Sequence, residues 1–210
     1  MRKPWIVLGG GGHAKVVIDA LLAGQHQIVG FTSPETEVDS ILGVMRIGDD
    51  DALEGYSPEE VVLANGLGSV GSSDRRRKLY LRFSAQNYPF PPLLHPSAVV
   101  AASVSVGSGV QVLAGAVVQS GCCICENAIL NTRSSVDHDC IIGAHVHVAP
   151  GATLSGGVLV GEGAHVGTGA SVIQGVTIGA ESVVGAGAAV VRDVLVGSTV
   201  VGVPAKERTP

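Results

Sequence analysis

The chain has 210 residues, of which 46% are hydrophobic and only 15% charged, with 30 glycines and 3% aromatics; that composition favours thin, repetitive, β-branched packing over one large aromatic core, in one or two domains. A formal net charge of −5 leaves no basic surface to release counterions from a nucleic-acid backbone and argues against nucleic acid as a partner. Mean hydropathy is +0.41, yet Gly, Ser or a charge interrupts every apolar stretch well before the ~20 residues that span a bilayer, which argues against membrane insertion.

Met1-Arg2-Lys3-Pro4-Trp5 leads directly into apolar residues and a glycine loop with no signal-peptide cleavage pattern, the start expected of a cytoplasmic protein. Residues 4–9 read as a buried strand and His13 to Leu22 as an amphipathic helix. Gln27 to Phe31 reads as a second strand, Val61 to Ala64 as a third that ends in Asn65-Gly66, and Asp74 to Asn87 as a polar helix. This order is half of a Rossmann-like unit. Gly9-Gly10-Gly11-Gly12-His13-Ala14 satisfies the dinucleotide pattern G-x-G-x-x-A, but the acid expected about 20 residues on is missing, the place reading Phe31-Thr32-Ser33-Pro34. In a domain of this size, that argues against a nicotinamide enzyme. Pro89, Pro91 and Pro92 mark a boundary, giving an α/β N-terminal domain over 1–92 and a second domain over 93–210.

From Leu94 onward every sixth residue through Val190 is a branched aliphatic, seventeen positions in an unbroken register. A small residue stands four positions after each, from Ala98 to Ala188, and would fill a tight corner. Gly often follows the aliphatic residue directly, at Gly107, Gly143, Gly161, Gly167, Gly179 and Gly185, where the turn is expected to need unusual backbone angles. A fixed period of this kind specifies a stacked solenoid. Cys122 and Cys140, 18 residues apart, share the small inward slot, so the Cys122-Cys123-x-Cys125 cluster reads as buried thiols rather than a zinc site.

The repeat resembles the hexapeptide-repeat family, in which three hexads form one triangular coil. That resemblance implies a left-handed parallel β-helix of five to six coils, about 25 Å tall at the ~4.8 Å strand spacing, and pairing of the prisms as a homotrimer.

Stacking accounts for the aliphatic and corner residues, so function must rest on others: Asn131, Asp137, His138, Asp139, His145, His147 and His165. The run from Asn131 through Asp137-His138-Asp139 to His147 resembles the active-site coil of bacterial acetyltransferases acting on nucleotide-linked amino sugars, a group that includes sialic acid O-acetyltransferase relatives. By that resemblance His138 is the general base, Asp139 the acid that holds and polarises it, and His147 the contact to the acetyl-CoA thioester. The chemistry agrees, because an amine attacking a thioester must shed a proton and imidazole titrates near working pH. An adjacent carboxylate stabilises the imidazolium.

His138 and His147 are nine residues apart, half a coil, and should lie on different sides of one prism; they can meet only across a subunit boundary. His147 and His165 should stack on one flank. His145 and His165 read as solvent-facing decoration. The glycine loop also resembles the family's sugar-nucleotide loop, which makes Gly11, Gly12 and His13 candidate substrate contacts, with Asn65 and Gly66. Hydroxyls at Thr32-Ser33, where several relatives carry acids that read the base, leave uridine, guanosine and thymidine nucleotides all open. Gly156, Thr168 and Ala186 align with the family's pantetheine channel, and Val200 to Lys206 resembles the tail beside the adenine end of CoA. The resulting expectation is N-acetylation of a nucleotide-linked 4-amino-4,6-dideoxy sugar by direct transfer from acetyl-CoA, without a metal, serving polysaccharide synthesis. O-acetylation of a sialic acid or related sugar, and a non-catalytic binding solenoid, are the alternatives.

Overall fold

The computed structural model describes residues 3–34 and 38–208; Met1 and Arg2, with which the reading of the chain's start begins, lie outside them. The N-terminal region is one five-stranded sheet. Its strands β1 (Trp5–Leu8), β2 (Ile28–Thr32), β3 (Ser40–Ile41), β4 (Val44–Gly48) and β5 (Val62–Asn65) lie in the order β3-β4-β2-β1-β5. Strand β1 pairs in parallel with β2 and β5, and all four of its residues are buried, as an unbroken apolar run in a central parallel strand must be. Helix α1 (Gly12–Ala23) buries Ala14, Val17, Ile18 and Leu21, one helical stripe. Helix α2 (Asp74–Ser84) buries Arg76, Tyr80 and Phe83. It stops before Asn87, which adopts a left-handed φ of 64°.

Beyond Leu93 the chain winds into a left-handed parallel β-helix. Its first face runs from Leu93–Leu94 to Thr199–Val201 and holds seven parallel strands, the second face holds six from Val99–Val100 to Ala189–Val190, and the third holds five from Ser105–Val106 to Thr177–Ile178. Strands pair at an 18-residue offset, as in Leu130 with Val112 and Val148. The aliphatic positions from Val112 to Val190 and the small corner residues from Val110 to Ala188 form one buried column. Only the open end departs: Leu94, with no coil above it, is 42% exposed. At the other end Lys206–Glu207 turns back antiparallel onto the last strand.

The expectation for the glycines needs correction. Gly143 and Gly179 do not adopt positive φ; a Cβ there would stand 2.8 Å from the backbone nitrogen of Glu162 or 2.5 Å from that of Val196, so coil-to-coil approach excludes a side chain. Left-handed backbone occurs two residues later, where Gly109 and Gly163 alternate along the chain with Asn127, Asp139 and His145. Cys122 and Cys140 point inward as expected, and their thiols contact the carbonyls of Asp137 and Ser155. Burial pushes the Cys140 thiol up to about 11.

The α/β region docks on the first face. Leu93, Leu113 and Ile129 on the outside of that face share a core with Trp5, Val17 and Leu21, while α2 covers the edge between the third and first faces. No described helix is long and apolar enough to cross a membrane.

Candidate active site

Docking creates a joint in which polar side chains converge. His147 stands on the first face, 6% exposed, and pairs with His165 one coil on, ring centroids 5.0 Å apart. Its Nδ1 lies 3.0 Å from both the carbonyl and the hydroxyl oxygen of Ser69, in the loop after β5, and the Asn131 amide nitrogen lies 3.0 Å from its Nε2. His13, at the start of α1, contacts Gln111 Oε1 at 2.8 Å, and its ring centroid is 6.4 Å from that of His147. Burial lowers the pKa of His13, His147 and His165, that of His147 to about 3, and at each ring the Arg76 guanidinium adds to the effect. The rings form a neutral cluster at working pH.

Two cavities meet at this wall. The larger, about 520 Å³, is lined by Gly11, Gly12, His13, Gly66, Asn131 and Thr132. The other, about 370 Å³, runs along the prism beside His165, Thr168, Gly185 and Ala186. Ser69, Val70, His147 and Pro150 border both. At Gly11 and Gly12 a Cβ would meet nothing within 4 Å, so packing does not demand glycine there. Gly11 caps α1 without a side-chain hydrogen bond, which leaves the backbone N–H groups of the first turn directed at open space. A further hollow of about 350 Å³ continues past these glycines to Lys15, Ser40 and Leu42.

His138 lies elsewhere, on the edge between the second and third faces. Its Nδ1 is 2.9 Å from Asp139 Oδ2, with both side chains more than 60% exposed. The hydrogen bond to Asp139 raises its pKa above the ordinary histidine value. Gly156, one coil on, is its floor: a Cβ there would come within about 2.5 Å of the imidazole.

This two-part molecule has close counterparts. Residues 5–83 match the PglD N-terminal domain family. The whole chain superposes with a TM-score of 0.91 and 40% identity on PerB from Caulobacter crescentus, solved with CoA and GDP-perosamine, covering 100% of this chain and 99% of that one. The acetyltransferase domain of PglB from Neisseria gonorrhoeae, solved with acetyl coenzyme A, gives 0.93 and 38%, covering 99% and 100%. WeeI from Acinetobacter baumannii gives 0.87 at 25%, again covering 99% and 100%. The chain belongs to the hexapeptide-repeat sugar N-acetyltransferases. It is therefore an acyltransferase.

Against that family background the expected site residues other than Asn65 divide into two groups. Gly11, Gly12, His13, Gly66, His147, Thr168 and Ala186 border the two joined cavities. His138, Asp139 and Gly156 sit together on the other edge, so Gly156 does not share a flank with Thr168 and Ala186 as expected; twelve residues separate it from Thr168, and only multiples of 18 share an edge. Asn65 belongs to the joint rather than the cavity wall. Its side chain is 1% exposed, donates to the Arg76 carbonyl at 2.9 Å and accepts from Leu67 N–H at 3.1 Å. His145 is 3% exposed rather than solvent-facing, 2.9 Å from the Asn127 amide and packed edge-on to Tyr80. His165 is half-buried with an unpartnered Nδ1. Ser69 and Gln111 escaped the sequence reading. Their partners are 78 and 98 residues away, beyond the reach of any local pattern.

Proposed function

We propose that the protein transfers the acetyl group of acetyl-CoA to the 4-amino group of a nucleotide-linked 4-amino-4,6-dideoxy sugar, with His138 as general base. The observation that carries this reading is the exposed His138–Asp139 pair. With Nδ1–H donated to the carboxylate, Nε2 keeps its lone pair, able to take a proton from an amine as its nitrogen bonds to the thioester carbonyl carbon and the C–S bond breaks. Asp139 orients the ring and stabilises the imidazolium that forms. The relatives' bound molecules support the substrate class: CoA with GDP-perosamine in PerB, acetyl coenzyme A in PglB. An amine acceptor is favoured over a hydroxyl because the Caulobacter enzyme is a perosamine N-acetyltransferase.

The nucleotide is assigned to the α/β region, its phosphates at the uncapped N–H groups of Gly11 and Gly12, and CoA to the cavity along Thr168 and Ala186. His138 is then on the wrong edge of its own prism, and a neighbouring copy must bring it to the cavities. A homotrimer with one site at each seam meets that need.

Incubation with acetyl-CoA and GDP-, UDP- and dTDP-linked 4-amino sugars, followed by thiol release, tests the reading. Release with one of these and its loss in His138→Asn is expected. Release with every acceptor unchanged in His138→Asn would defeat it.

A further inference from the structure

We infer that Asn131 is a positioning residue that fixes the tautomer of His147, with its one ring proton on Nδ1, and thereby sets the polarity of the wall between the two cavities. The orientation of Asn131 is not free. Thr132 donates its backbone N–H to Asn131 Oδ1 at 2.7 Å, and the Thr132 hydroxyl lies 3.3 Å from the same oxygen. The amide nitrogen is therefore the atom left to face His147 Nε2 at 3.0 Å. An amide NH₂ only donates, so Nε2 accepts and carries no proton. At the opposite end Nδ1 lies 3.0 Å from the Ser69 carbonyl oxygen, which only accepts, so Nδ1 carries the proton. Two constraints from different domains give the same answer.

The result is a directed chain of hydrogen bonds across the joint, from Thr132 N–H through Asn131 and His147 to Ser69. Both nitrogens of His147 are engaged, so the ring offers an acyl group no N–H and acts as neither acid nor base. The polar hydrogens this wall can present to the larger cavity are the second amide N–H of Asn131 and the hydroxyl hydrogen of Ser69, both of which residues line it. The expected contact of His147 with a thioester is thereby recast as one of shape rather than proton donation.

The catalytic consequence rests on the acetyl-transfer reading, whereas the tautomer does not, so ring-nitrogen NMR of histidine-labelled protein tests it separately. The His147 signals, assigned by their absence in His147→Gln, should show a protonated Nδ1 and a bare Nε2 at pH 7. Asn131→Asp keeps an oxygen for the Thr132 N–H but sets an acceptor against Nε2. It should protonate Nε2 and lower kcat/KM for acetyl-CoA about tenfold. In Asn131→Ala, where the Ser69 carbonyl alone still selects for Nδ1–H, the Nε2–H tautomer should become detectable, whereas in Ser69→Ala, which keeps both the carbonyl and Asn131, the wild-type tautomer should persist unmixed. A protonated Nε2 in the wild type, or an unchanged tautomer in both Asn131 variants, would overturn the assignment. Loss of turnover in Asn131→Asp with the tautomer unchanged would likewise remove Asn131 from this role.

Discussion

Asp139 has a φ of 58°, in the left-handed region that Asp and Asn enter more readily than most side chains, and at that corner its carboxylate meets Nδ1 of His138. Asp139→Asn should therefore keep the backbone. It should weaken the bond that raises the His138 pKa. A general base must be neutral, so a raised pKa places the acid limb of kcat/KM above the ~6.5 of free histidine, and the limb should move to lower pH in Asp139→Asn while kcat falls by about 10–100-fold. An unmoved limb with kcat intact would remove Asp139 from the mechanism. Gly156→Ala should push the imidazole off its floor and depress kcat with little change in Tm, because Gly156 has ordinary φ and only the exposed ring stands in the way. A fully active Gly156→Ala would show that the ring can shift without consequence. At this scale much was legible: Asp137-His138-Asp139 stands at turn positions that the stacked register does not explain. His145 was not. It occupies a corner that repeats solvent-facing positions, and only the packing of Tyr80 and Arg76 from another domain buries it.

Among the elements, α2 decides how the two parts fit. Arg76 is 1% exposed, and its guanidinium donates to the carbonyls of Asn127, His145 and Val146 on the prism edge. Burial lowers its pKa to about 10, so it remains charged at neutral pH. Asn127 and His145 stand one coil apart, and both have left-handed φ, so the repeat itself sets two carbonyls for one arginine. Arg76→Met should leave these buried acceptors without partners. An unsatisfied buried polar group costs about 1–3 kcal/mol, so a loss of roughly 3 kcal/mol is expected in denaturant unfolding; a loss below about 0.5 kcal/mol would mean that water replaces the guanidinium. Sequence patterns located β1, β2, β5 and both helices to within a few residues, because each buries a regular stripe. The β3–β4 hairpin and the 3-10 turn of Asp50–Gly55 were missed. Leu42 and Gly43 form the hairpin's tight turn, with φ of 51° and 81°, where leucine replaces the Asn or Asp that normally signals such a turn.

At the scale of the whole molecule, the exposed apolar residues point to the seam. Between residues 100 and 192 the large apolar side chains left exposed are Ile141, Leu159, Ile173 and Val191, each 40–48% exposed. Ile173 and Val191 stand on the edge that carries His138, and Ile141 and Leu159 open the third-face strands beside it. The α/β region already covers the first face and the edge between the third and first faces. A closed ring of three can join the His138 edge of one copy to the Ala186 edge of the next only by turning the second face inward, where the outward side chains include Ser135, Thr153 and Ser171, small enough for close approach. Light scattering should give three times the chain mass, and Ile141→Asp with Leu159→Asp should shift the protein toward monomer and abolish turnover together. A monomer with full activity would exclude shared sites. Complementation separates shared from self-contained sites more sharply. His138→Ala lacks the base, and Ala186→Trp blocks the cavity assigned to CoA, so each alone should be inactive. In randomly mixed trimers a seam works when the intact His138 comes from one variant and the open cavity from the other. Each condition holds for half the chains, so roughly a quarter of wild-type activity should return. No recovery after unfolding and refolding the two variants together, with trimers re-formed, would place His138 and the Ala186 cavity in the same subunit's site.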